Sequence, residues 1–199
     1  MGSKILVAYA TLSGSTTQVA QAIGETLGQE GTQVDVHQIK EVGDISLYDA
    51  VVVGGPLIMG WHREAVRFVK KHQGVLSQMP VAYFITALNL TQTSQESIHE
   101  VPIYCDPYLP KPPQNPGKLS LRERYATPSN YLSPVLKKTP KVKPVSVAFF
   151  GGTLVYTELN FLHMLFVMLI IGARPGDFRD WEAIRAWGTS LRSALAEKA

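Results

Sequence analysis

The stretch Thr11-Leu12-Ser13-Gly14-Ser15-Thr16 joins an apolar run, Ile5 to Ala10, to an amphipathic stretch ending near Leu27. The run before it reads as a strand. Val19, Ile23 and Leu27 at spacing four put an apolar stripe on the following helix, which Gly28 closes. Four hydroxyls and one glycine at such a strand-to-helix turn supply side-chain donors and backbone N–H groups where a helix N-terminus favours negative charge. The turn therefore reads as a phosphate cradle. The plainer alternative is a Ser/Thr-rich turn with a capping residue. No Lys follows Gly14 as a P-loop requires, and no GxGxxG is present, which leaves a monophosphate dianion held without lysine.

Thr11, Ser13 and Thr16 set around Gly14 this close to the N-terminus resemble the FMN phosphate loop of the flavodoxin family. The rest of the chain alternates strands with helices. Thr32 to Ile39 has the polar/apolar alternation of a half-exposed edge strand, while Ala50 to Gly54, Val81 to Leu88 and Val145 to Phe150 are apolar runs suited to strands buried on both faces. Ala65, Val66, Phe68 and Val69 mark a helix ended by Gly74, and Trp181, Ile184, Trp187, Gly188, Leu191 and Leu195 share one face of a C-terminal helix. Helices between strands imply right-handed crossovers and a parallel sheet covered on both faces. The expected fold is thus α/β: a flavodoxin-like, doubly wound, five-stranded parallel sheet of order 2-1-3-4-5, with residues 1–199 forming one domain.

Ligands of such sheets bind at the carboxyl ends of the strands, so the loops after strands three and four share a crevice with the Gly14 turn. After strand three, Pro56, Leu57, Ile58, Met59, Gly60 and Trp61 offer glycine for close backbone approach and apolar cover for a ring. Trp61 is either a stacking face or a packing residue at the start of the next helix. After strand four come Leu88, Asn89, Leu90 and Thr91, with Asn89 able to donate and accept. His62 beside the first loop is read as a helix cap or a proton relay.

Ten of the thirteen prolines fall between Leu90 and Val145. That density makes residues 92–143 a Pro-rich insertion between strands four and five, expected as a long loop with at most short helices near Leu119 to Tyr125 and Tyr131 to Leu136. Its tyrosines argue for packing, either as a lid over the crevice or as a surface insertion.

Tyr48-Asp49-Ala50-Val51-Val52-Val53-Gly54, Phe68-Val69-Lys70-Lys71-His72, Phe149-Phe150-Gly151-Gly152-Thr153-Leu154 and Asp180-Trp181-Glu182 resemble the menaquinone-dependent protoporphyrinogen oxidase branch of the flavodoxin family. The resemblance covers residues 1 to about 98 and 144 to 196, and the insertion departs from it. It implies FMN as cofactor, its phosphate held by Thr11, Leu12, Ser13, Gly14, Ser15 and Thr16 and its ring flanked by Pro56 to Trp61 and Leu88 to Thr91. It also implies an oxidoreductase passing electrons from a small-molecule substrate, a porphyrinogen in that branch, to a quinone. The alternatives are a flavodoxin-type electron carrier without a substrate of its own and a flavin-binding regulator.

Charge separates these classes. The chain carries a net charge of +3, and Lys137, Lys138, Lys141 and Lys143 cluster before strand five, which argues against the acidic docking rim of a carrier. No aromatics interleave with that patch, so nucleic acid is not an expected partner; an anionic membrane surface or a carboxylated substrate suits the sign. The run Phe161 to Ile171 is far shorter than the roughly 20 residues of a bilayer span, and is expected as a core helix or as a contact with the membrane interface or another subunit. A single Cys105 and no secretory opening indicate a cytoplasmic protein, peripheral membrane contact and a homo-oligomer being compatible with it. The five histidines have no metal-ligand spacing, no GxSxG elbow occurs, and Cys105 has no evident base, so no metal or nucleophilic centre is expected.

Overall fold

The computed structural model describes residues 3–12, 14–57, 60–115, 117–154 and 176–196. Its strands, in chain order, are β1 (Lys4–Tyr9), β2 (Gln33–Gln38), β3 (Ala50–Pro56), β4 (Val81–Ala87), β5 (Leu90–Thr91), β6 (Ser97–Ile98), β7 (Val101–Cys105), β8 (Pro110–Lys111), β9 (Ser146–Gly151), β10 (Thr153–Leu154) and β11 (Gly176–Asp177). The helices are α1 (Ser15–Leu27), α2 (Arg63–Lys71), α3 (Gln73–Leu76), α4 (Leu121–Tyr125), α5 (Pro128–Lys138) and α6 (Trp181–Ala196). The expected five-stranded parallel order is present as β2-β1-β3-β4-β9.

Alternation along each central strand builds two separate cores. Ile5, Val7, Phe84, Ala148 and Phe150 point to the face covered by α1 and α6, where Trp187 meets Phe150 edge-on at 5.7 Å and donates its indole N–H to Ser146 Oγ at 3.0 Å. Leu6, Tyr83, Ile85, Val147 and Phe149 point to the opposite face, covered by Phe68 and Val69 of α2, Leu76 of α3, and Tyr131, Leu132 and Val135 of α5. Burial on both faces is why β3, β4 and β9 read as unbroken apolar runs rather than alternating ones. On α6, Ile184, Trp187, Gly188, Leu191 and Leu195 are buried, as the 3.6-residue periodicity requires.

Two expectations are corrected. The helix after β3 does not run to Gly74: it stops at Lys71, where His72 leaves helical geometry at ψ 15°, and Gly74 lies inside the separate turn α3. The insertion is not a loop with short helices alone. It extends the sheet to β2-β1-β3-β4-β9-β7-β6, β7 lying parallel to β9 through Ile103, Tyr104 and Cys105, and β6 closing the edge as an antiparallel hairpin partner. Pro102 is tolerated because it precedes the residues that pair with β9. The two helices of the insertion are capped. Ser120 and Glu123 form a reciprocal capping box on α4, and Thr127 caps α5 with Pro128 in its first turn. The stretch Phe161 to Ile171, with His163, lies outside the described residues.

Candidate functional site

Because β1, β3, β4, β9 and β7 are mutually parallel, the segments that leave their carboxyl ends gather along one edge of the sheet. Backbone bonds stitch these exits together: Ala10 N–H to Gly54 O at 2.9 Å, Leu57 N–H to Thr86 O at 2.8 Å, Gly152 N–H to Ala87 O at 3.0 Å and Asp106 N–H to Phe149 O at 2.9 Å. The edge is a frame on which the intervening loops stand at fixed spacing.

The first of these loops turns at Gly14, which takes φ +83° as the N-cap of α1, with no heavy atom within 4 Å of where a Cβ would stand. Thr11 Oγ1 accepts the Gly14 N–H at 3.0 Å and so shapes the turn from within. Among the described residues the N–H groups of Ser15 and Thr16 have no acceptor, so the positive end of the α1 dipole is left uncapped by them. Leu12 is exposed, Ser15 is half-exposed, and Thr16 is buried with its hydroxyl 3.4 Å from that of Thr86. Ser13 lies outside the described residues. An exposed glycine turn at a helix start with unclaimed N–H groups fits a phosphate group, the part of FMN that a lysine-free loop has to hold.

A cation stands beside the turn that sequence reading had not singled out. Arg179 donates to the Ser15 carbonyl at 3.4 Å and to Gln18 Oε1 at 2.6 Å, pairs with the Asp177 carboxylate through Nε at 2.8 Å, and lies 4.6 Å over the Trp181 ring. The guanidinium holds the Asp177 carboxyl below its ordinary range. The short β10–β11 pair brings Arg179 there, since Phe178 N–H bonds Gly152 O at 3.0 Å and the chain then enters α6. Gly151 permits the approach: a Cβ on it would stand 1.8 Å from the Phe178 carbonyl oxygen.

In the second loop, Trp61 is 5% exposed, donates its indole N–H to Gly55 O at 3.3 Å and packs tilted on Tyr83 at 5.0 Å. It sits as a packing residue. Pro56 and Gly60 are partly exposed, Leu57 is buried and bridged to Trp61, and Ile58 and Met59 lie outside the described residues. His62 caps α2, its Nδ1 accepting the Glu64 N–H at 3.4 Å. In the third loop Leu88 and Asn89 are half-buried. Leu90 and Thr91 turn inward, Thr91 giving its N–H to Ala126 O and its hydroxyl to Glu123 O, each at 2.8 Å, which ties the insertion to the end of β4.

Asp106 was missed as well. It is fully buried, and its carboxylate accepts the Gly151 N–H at 3.1 Å and the Tyr108 N–H at 2.9 Å, so the insertion fixes the carboxyl end of β9 across 45 residues. The Asp106-Pro107 dipeptide signals a turn, but the partner at Gly151 is set by the β7–β9 pairing, which local sequence does not reveal. Burial, with Asp106 adding to it, pushes the Cys105 thiol up to about 11, so it stays protonated and unreactive near neutral pH. Among the described residues no cluster of three His, Cys, Asp or Glu side chains is placed to hold a metal, and no helix is long and apolar enough to cross a membrane.

Against known proteins, a family model described as a flavodoxin domain matches residues 6–179. Over 200 residues the chain is 25% identical to the protoporphyrinogen IX dehydrogenase (quinone) of Leishmania major, covering 94% of this chain and 74% of that one. Over 96 residues it is 31% identical to the Escherichia coli protein of the same name, covering 47% of this chain and only 52% of that relative. A flavodoxin from the domain Archaea superposes with a TM-score of 0.51 at 11% identity, covering 97% of this chain and 99% of that one, a likeness of fold.

Proposed function

Since the chain belongs to the flavodoxin-domain family, we propose that it is an FMN-dependent oxidoreductase whose phosphate loop is the Gly14 turn. The observation that carries this reading is the open N-terminus of α1 at the carboxyl edge of the sheet, with the unclaimed N–H groups of Ser15 and Thr16 beside the Arg179 cation. In this reading the Thr11, Ser13, Ser15 and Thr16 hydroxyls and the loop amides from Leu12 to Thr16 hold the phosphate. Pro56, Leu57, Ile58, Met59, Gly60 and Trp61 form one wall of the ring site and Leu88, Asn89, Leu90 and Thr91 another. FMN, when bound, takes electrons from a reduced substrate and hands them to an acceptor. The protein's own part is to fix the ring against a rigid edge and to keep water from it with Leu57, Trp61 and Leu90. Arg179 offsets part of the phosphate charge without leaving its bond to Asp177.

The named relatives support a quinone as acceptor and a porphyrinogen as the small-molecule substrate, and the basic character of the chain suits a carboxylated one. We place the protein in the cytoplasm, with peripheral contact to a membrane where its acceptor is a lipid-soluble quinone. The test is anaerobic reduction of the FMN-loaded protein, followed through the flavin absorption band, then addition of menadione. Recovery of the band within the mixing time supports a quinone-linked oxidoreductase, and recovery over minutes points instead to an electron carrier. Release of FMN on gel filtration overturns the cofactor assignment.

A further inference from the structure

Charge is placed unevenly between the two faces of the sheet. On one face α1 and α6 carry two acidic and two basic residues, whereas on the other α2 and α5 carry six basic residues against the single Glu64. Arg63, Arg67 and Lys71 stand four residues apart along α2, all exposed. Lys138 lies across a cleft of about 590 Å³ from Arg63 and Arg67, and Lys40 lies across a second cleft, of about 330 Å³, from Arg67 and Lys71. Arg67 lines both clefts, so α2 is a cationic ridge between two grooves. Among the described residues none of these five side chains is ion-paired, and Glu64 is the sole acid lining either groove.

Helix stability does not account for the ridge. Like charges at four-residue spacing destabilise a helix, and Arg63 stands in the first turn of α2, where the dipole disfavours a cation. Spacing gives the ridge another use. With a helical rise of about 1.5 Å per residue, the three cations recur about every 6 Å. Alternate side chains of an extended chain point to one side and recur about every 6.6 Å. We propose that the α2 ridge docks an acidic segment of a partner protein, held extended with Asp or Glu at alternate positions, so that successive carboxylates meet Arg63, Arg67 and Lys71. Guanidinium groups grip carboxylates bidentately, and the half-buried Ile39 and Val42 in the smaller groove give the flank of the segment apolar contact. A lipid surface suits the ridge less well, because it is flat and no large apolar side chain of α2 or α5 is exposed to enter it. Nor is an aromatic ring exposed on either helix for a nucleic-acid base to stack on. The inference does not depend on the redox reading.

The test is fluorescence anisotropy of a labelled peptide of five Glu-Thr repeats titrated with the full chain, beside its isomer with five Glu followed by five Thr. The alternating peptide is expected to bind at least fivefold more tightly than the isomer, and more weakly as salt rises. Arg67→Gln with Lys71→Gln is expected to weaken it at least tenfold. Arg185→Gln with Lys111→Gln, which removes the same charge away from α2, is expected to change its affinity less than twofold. Arg67→Glu with Lys71→Glu is expected to exchange the preference for a peptide of Lys-Thr repeats. Circular dichroism and FMN retention should stay unchanged throughout. Equal affinity for the two isomers, equal weakening in the two Gln variants, or tighter binding of phosphatidylglycerol vesicles or an oligouridylate through the same side chains overturns the proposal. Loss of FMN retention with peptide binding intact would fell the redox reading and leave the docking surface standing. FMN retention without peptide binding would do the reverse.

Discussion

A single backbone angle carries much of the site. Gly14 sits at φ +83° with open space around its α-carbon, so a side chain there meets no neighbour and any penalty comes from the backbone alone. Left-handed geometry costs a residue with a Cβ about 1–2 kcal/mol, and more for a branched one. Gly14→Val is expected to lower stability by about 2 kcal/mol or to flatten the turn. In either case FMN retention, measured by fluorescence on dilution, should fall by more than tenfold while the far-ultraviolet circular dichroism stays native. At this scale the Gly14 turn was legible because hydroxyls and a glycine between a strand and a helix are local signals. Trp61 was legible only as two alternatives, since aromatics stack on ligands and pack in cores alike, and its burial against Tyr83 is decided by β4, 22 residues away. Arg179 and Asp106 were invisible for the same reason: each acts on a partner that only the folded sheet brings near.

Among elements, the β6–β7 hairpin shows what local reading missed. Ser97 pairs with Pro102 and Ile98 with Val101, so the connection is the two residues His99 and Glu100, at φ 49° and 66°. Two successive positive angles in a two-residue loop make a type I′ turn, which strongly prefers Asn-Gly. His-Glu carries no such signal, and with Pro102, Pro107 and Pro110 following it the segment reads as loop. Replacing His99→Asn together with Glu100→Gly relieves two strained residues. It is expected to raise stability by about 1 kcal/mol. A thermal melt should show this as a rise in Tm of about 2–4 °C for a domain of this size. A fall in Tm would mean that either side chain makes a contact worth more than the strain. The insertion helices were easier to place, because Ser120 with Glu123 and Thr127 with Pro128 are start signals that survive among prolines.

For the whole molecule, one polar cluster links the first three strands at the edge of the sheet, and it sets a pH dependence at both ends of the scale. Lys4 of β1 pairs with Asp35 of β2 at 3.0 Å, and Tyr48, just before β3, donates its hydroxyl to Asp35 at 2.9 Å beneath the Lys4 ammonium, which is 4.8 Å from the tyrosine ring. Hydrogen bonds from Lys4 and then Tyr48 hold the Asp35 carboxyl below its ordinary 3.8. A carboxyl with a depressed folded pKa binds its proton more readily when unfolded, so its contribution is present above that ordinary value and is lost as pH falls through the folded one. Tyr48 runs the other way. Burial first, then its bond to Asp35, raises it from 10.0 to about 12, so the folded state keeps a proton that the unfolded state releases. Its contribution is complete below pH 10 and is lost as pH rises toward about 12. The cluster is partly open to solvent, so both effects are screened and modest. Denaturant midpoints measured from pH 2.5 to 11.5 should decline at both extremes, and Asp35→Asn should flatten the acid limb while lowering the plateau. A variant whose acid limb matches the parent's would assign the loss to other carboxylates, with Asp177 beside Arg179 the next to replace.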